Sequence, residues 1–202
     1  MKALLAGAML AAAALAAGCS HRDPHWVDPE PAPPIAGVDV TSAKPFRLAD
    51  QRGHVVLLSF GYTSCMEVCP DTFAKAKAVF RDLGDASRDL SFVYVTVDPE
   101  RDKPEPFGAF MRSVDPRFEG VFLEGDALSS VLADYHVVVR KRLPDPSRYA
   151  KRDVDPSKFY AMDHTSGFWG IDRKGELRFR YSHDVTDAEL REATRQLLEE
   201  PR

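Results

Sequence analysis

Val55 to Phe60 reads Val-Val-Leu-Leu-Ser-Phe, an apolar run with Gly53 and Gly61 on either side. A run this short and this apolar suits a strand buried on both faces, which requires strands beside it and helices above and below. The residues after it fit that demand. Phe73, Ala76, Val79, Phe80 and Leu83 recur at helical spacing and Gly84 ends the pattern, so a helix is expected over 70–83. Ser91 to Val97 reads as a second strand, stopped by Asp98-Pro99. Helices are expected over 104–114 and 126–135, with short strands at 120–123 and 137–140, the last expected to run parallel to the first. Gly167 to Asp172, the turn Arg173-Lys174-Gly175 and Glu176 to Tyr181 predict a hairpin. A last helix starts at Thr186, with Glu189 completing a capping box, and runs to Glu199. The fold class is α/β, a mixed sheet flanked by helices with a C-terminal hairpin and helix. The stretch 141–158, with Pro144, Pro146 and Pro156, is a long irregular loop of a kind often functional.

The chain before residue 44 has another character. Residues 1–18 hold an Ala/Leu stretch of signal-peptide length, short for a membrane span of about 20 residues. It ends Leu15-Ala16-Ala17-Gly18-Cys19, which resembles a bacterial lipobox with the leucine one place early. Cys19 is therefore expected to be lipidated. The mature protein is then exported and anchored by lipid to a bacterial membrane, facing the periplasm or the cell exterior; cleavage nearby with Cys19 left free is the plainer reading. Residues 19–43, with Pro24, Pro29, Pro31, Pro33 and Pro34, are expected to be an extended tether, and residues 44–202 the folded domain. His21 and His25 lie in the tether and have no expected role. A net charge of −4, from 31 acidic and 27 basic residues, offers no basic face for nucleic acid.

Chemistry is concentrated between the first strand and its helix, in Gly61-Tyr62-Thr63-Ser64-Cys65-Met66-Glu67-Val68-Cys69-Pro70. Spacing of four on a helix brings two sulfurs to one face, and a helix N-terminus favours thiolate over thiol. Pro70 suits an early helical position. A plain disulfide here would close a very short loop and constrain the unfolded chain little. Two thiolates are a soft donor set suited to copper(I), and one imidazole would complete a three-coordinate site. His54 precedes the first strand and so stands about 20 Å from the cysteine end. His136, before a strand expected to be parallel, falls at the far end too. His164 and His183 both belong to the cysteine end, and these arguments leave them nearly even. Met66 could lend a soft thioether to copper, but a methionine beside a cysteine is more often packing, which is the expectation here.

These residues resemble the Sco/SenC family of copper-binding proteins. The likeness rests on Phe46-Arg47-Leu48, on Gly61-Tyr62-Thr63 leading into Cys65-x3-Cys69-Pro70, on Val97-Asp98-Pro99-Glu100-Arg101-Asp102, and on Tyr160-Ala161-Met162-Asp163-His164-Thr165. It spans about residues 44–198. The resemblance implies a thioredoxin-like fold and copper held by Cys65, Cys69 and His164. It also implies delivery of copper to an acceptor, the binuclear copper centre of cytochrome c oxidase subunit II. Where the family commonly has Pro-Asp after the first cysteine, this chain has Met66-Glu67. Asp98 and Glu100 are expected either to steer a partner or to solvate a loop. The competing function is a thiol:disulfide oxidoreductase cycling Cys65 and Cys69 between dithiol and disulfide. It fits less well, because such enzymes typically carry Cys-x2-Cys and a proline before the terminal hairpin, and no proline stands between Pro156 and Pro201. Nothing in the spacing argues for a peroxidase.

Overall fold

The computed structural model of the protein describes residues 25–143, 145 and 159–201. Its strands are β1 (Trp26–Pro31), β2 (Ala36–Asp39), β3 (Lys44–Arg47), β4 (Val55–Gly61), β5 (Leu90–Thr96), β6 (Glu119–Phe122), β7 (Val139–Arg142), β8 (Ala161–His164), β9 (Gly167–Ile171) and β10 (Glu176–Ser182). Its α-helices are α1 (Cys69–Leu83), α2 (Pro104–Val114), α3 (Gly125–Asp134) and α4 (Asp187–Glu199). Eight strands form one mixed sheet in the order β1-β10-β9-β4-β5-β6-β2-β3. β4 pairs parallel with β5 from Val55↔Leu90 to Gly61↔Thr96. The hairpin strand β9 runs antiparallel on the other side of β4, as expected.

The two-residue period of a strand divides the core in two. Val55, Leu57, Phe92 and Tyr94 face Phe73, Ala76, Val79 and Phe80 of α1, Phe107 and Met111 of α2, and Leu190, Ala193 and Leu197 of α4. Val56, Leu58, Phe60, Val93 and Val95 face Leu128 and Val131 of α3 together with Ile35, Tyr135 and Trp169. Every residue of β4 is buried, which is why its sequence shows no polar alternation. The capping box at Thr186 and Glu189 is present. A central mixed sheet with helices on both faces and a terminal hairpin and helix is the thioredoxin-like architecture.

Two expectations need correction. Part of the stretch read as a tether lies in the sheet: β1 pairs antiparallel with β10, and β2 pairs with β3 and β6. β1 is an edge strand, where Pro29 and Pro31 cost no ladder bonds, so the prolines that suggested a tether mark an edge. The strand expected over 137–140 is neither parallel to β4 nor in its sheet. As β7 it pairs antiparallel with β8 in a separate two-stranded sheet, Val139 opposite His164. Residues 1–18, Cys19 and most of the 141–158 loop lie outside the described residues, among which no helix is long and apolar enough to cross a membrane.

At the N-terminal end of the parallel strands, Gln51 Nε2 donates to Glu119 at 2.9 and 3.2 Å, and Ser91 Oγ donates to Gln51 Oε1 at 2.9 Å. Burial, followed by the nearby Asp39 carboxylate, pushes the Glu119 carboxyl up to about 7 against the pull of these hydrogen bonds. The folded state thus keeps a proton that the unfolded chain releases near its ordinary carboxyl pKa, so stability falls as pH rises from about 4.5 through about 7. Discounted for partial exposure, the loss is about 2 kcal/mol. Glu119→Gln mimics the protonated form. Thermal melts should show it stabilised at pH 8 by about 1–2 kcal/mol, roughly 2–8 °C, and unchanged at pH 4.5.

Candidate metal centre

Cys69 is the first residue of α1 and Pro70 the second, where the ring replaces an N–H with no intrahelical partner. Cys65 is not helical. It sits in the turn after β4, its N–H donating to the Tyr62 carbonyl at 3.2 Å. The expected shared helical face is therefore absent, and the sulfurs meet differently: the Cys69 N–H points at Cys65 Sγ, 3.4 Å away. Cys65 is half-buried and Cys69 buried, and both are free thiols.

The third donor arrives from another element. His164 ends β8, its ring edge-on to Tyr62 with centroids 5.8 Å apart. The donor atoms of Cys65, Cys69 and His164 all lie within 4.8 Å of one another. His164 Nδ1 lies 3.0 Å from the Thr165 carbonyl, so a proton held there leaves Nε2 free as a donor. Two thiol sulfurs and an imidazole nitrogen fit a soft metal ion.

The two thiols are not equivalent. The Cys69 thiol is the main influence holding Cys65 down at about 3, against burial, with the His164 ring and the N–H groups of Cys69 and Glu67 adding to it. Cys69 is pushed far up because it shares its proton with Cys65 and is buried. Behind them Tyr94 is fully buried, its hydroxyl beside Cys69 without a well-aligned hydrogen-bond partner; burial first, with the neighbouring cysteine sulfurs adding to it, raises its pKa. Of the two cysteines, Cys65 is thus the sulfur favoured as thiolate and Cys69 the one favoured to keep its proton.

Buried charges hold the flanking segments, which sequence reasoning missed. Asp102 accepts from the Thr63 N–H at 3.0 Å, Thr63 Oγ1 at 2.5 Å and Thr96 Oγ1 at 2.7 Å, fixing the turn that carries Cys65. Asp98, 2% exposed, pairs with Arg101 and accepts from the Tyr160 hydroxyl at 2.7 Å. Arg101 stacks on the Tyr160 ring at 3.7 Å and donates to its carbonyl, tying the segment before His164 to the loop after β5. Asp98 therefore neither steers a partner nor solvates a loop, whereas Glu100 is exposed and pairs with Lys141. The available signal was the Asp-Pro-Glu-Arg-Asp run itself, whose acids and base stand close enough to satisfy one another when buried.

His183 is exposed and joins no such group among the described residues; its carbonyl accepts from Lys75. His136 is exposed and joins none either, although the parallel strand used to place it does not exist.

A thioredoxin-like domain with two sulfurs and an imidazole at the C-terminal end of its central strand is a metal-binding type of this fold. The chain belongs to the SCO1/SenC family, whose profile matches residues 38–199. An SCO2-like protein of Rickettsia prowazekii is 28% identical over 159 residues, covering 73% of each chain. Among solved structures, copper-bound ScoI of Bradyrhizobium japonicum is similar at 27% identity and a TM-score of 0.68, covering 83% of this chain and 99% of that one. A SCO1/SenC family lipoprotein of Bacillus anthracis shares the fold at 21% identity and a TM-score of 0.67, covering 89% and 99%.

Proposed function

We propose that Cys65, Cys69 and His164 bind one copper ion, and that the domain delivers it to the binuclear copper centre of cytochrome c oxidase subunit II. The observation that carries this is the convergence within 4.8 Å of three soft or borderline donors, one from the turn after β4, one from α1 and one from β8. The copper in the Bradyrhizobium relative supports the choice of metal. Both sulfurs bind the ion as thiolates, so loading displaces whatever thiol protons the pair still holds. Three donors leave copper open on one side, as ligand exchange with an acceptor requires. A lipid on Cys19 would hold the domain at the membrane where the oxidase is assembled.

One observation favours the oxidoreductase reading: Cys65 is a half-buried free cysteine with the Cys69 N–H aimed at its sulfur and a second cysteine beside it, a setting that lowers its pKa and suits a nucleophile in disulfide exchange. The readings part at His164, which serves the metal and has no required role in dithiol chemistry. In cells, deletion should lower assembled oxidase activity, with rescue by added copper, and His164→Ala should behave like the deletion. Full complementation by His164→Ala alongside failure of Cys65→Ala would establish the redox reading instead. In the same strain, Cys19→Ser should leave the protein unprocessed or release it from the membrane fraction.

A further inference from the structure

We propose that Met66 is a copper(I) ligand at the mouth of the site, a labile thioether through which the ion enters and leaves; this rests on the copper reading of Cys65, Cys69 and His164. A methionine beside a cysteine is ordinarily packing, and the structure excludes that here. Met66 is 88% exposed, the most exposed of the large hydrophobic side chains among the described residues. Two openings meet at the site. One is a cleft of about 340 Å³ bounded by Cys65, Met66, Met162 and His164. The other is a largely apolar groove of about 430 Å³ along Cys69, Pro70, Phe73 and Phe110. Cys65 and Met66 are the two residues that line both. Met66 thus borders the site on both of its open sides.

The chemistry suits transit rather than storage. A thioether is soft enough for copper(I), carries no charge and needs no deprotonation, so it binds more weakly than a thiolate and independently of pH. Exposure leaves its three rotatable side-chain bonds free to follow the ion. Met162 lies on the same face of β8 as His164, two residues away, and is partly buried, so it can serve as a fixed second thioether on the inner wall of the cleft. The step is a ligand substitution: a copper–thioether bond forms as a bond to the incoming or outgoing carrier breaks, with copper staying copper(I) and no proton moving.

The test uses reduced protein labelled with ¹³C at the methionine methyls, loaded with one equivalent of copper(I), then challenged with excess chelator. The Met66 methyl resonance should shift on loading. Met66→Leu, which keeps the apolar volume, should still bind one copper but release it to the chelator about tenfold more slowly, the low end of what losing an auxiliary partner costs a metal site. A Met66 methyl that does not respond while copper binds overturns the inference and leaves the Cys65–Cys69–His164 site standing, as does a Met66→Leu release rate equal to wild type. Protein that takes up no copper at all overturns both.

Discussion

Alanine in place of Cys65, Cys69 or His164 should each remove stoichiometric copper binding from the reduced domain, while His183→Ala should bind as wild type does. The size of the loss follows from how metal sites divide their energy. Structural four-donor sites contribute about 10–16 kcal/mol, so one donor is worth about 3 kcal/mol, at least a hundredfold in affinity. Competition against a copper(I) chelator reads this directly. The fold should survive: Cys65 is half-buried at the edge of the core, His164 ends a small two-stranded sheet, and Cys69 is the one of the three buried within the core, so thermal melts of the variants separate lost ligation from lost structure. Equal loss on His183→Ala with none on His164→Ala would overturn the ligand set.

The proposed ligand set shows where sequence reasoning reached and where it stopped. β4 was legible because burial on both faces leaves an apolar run no other element explains, and α1 because Phe73, Ala76, Val79 and Phe80 repeat with the helical period. The cysteine pair could be placed at the end of that strand by counting residues. His164 could not be separated from His183 by the same counting, since both flank the hairpin and the difference is tertiary: β8 turns His164 onto Tyr62, while His183 stays in solvent. β8 itself carries no strand signal, because Ala161–His164 is four residues long and its partner β7 is too polar to announce a buried face. β1 was hidden for another reason: Pro29 and Pro31 oppose strand formation everywhere but at an edge, and edge position is a property of the assembled sheet. The burial of Asp98 and Asp102 was equally hidden, because charge in a sequence argues for solvent until its hydrogen-bond partners are seen.

Gly61→Ala should be among the most damaging single substitutions in the domain, and the damage should reach the metal site. Gly61 ends β4, paired with Thr96 of β5, and its carbonyl accepts from the Val97 N–H at 2.8 Å, so the backbone cannot retreat without opening the central ladder. A Cβ there would stand 2.0 Å from Tyr94 Oη, 2.8 Å from its Cζ and 2.9 Å from Cys69 Sγ. Tyr94 has no route outward: it is fully buried, with the Phe73 ring 4.6 Å and the Phe107 ring 6.3 Å away. Relief must therefore come from displacing Cys69 or from straining the core. Overpacking of this kind costs about 1–3 kcal/mol, and a rigid neighbour on one side and a strand on the other place this case at the upper end. Melting should fall by about 6–12 °C, and copper affinity should drop with it, because the sulfur that has to yield is one of the three proposed ligands. Tyr94→Phe removes the nearest clashing atom and leaves the ring contact, so the double variant should recover about 1 kcal/mol relative to the sum of the two singles. Recovery of stability and copper affinity together would mean that the glycine is required by the sulfur site as much as by the strand, whereas recovery of stability alone would confine its role to packing against Tyr94.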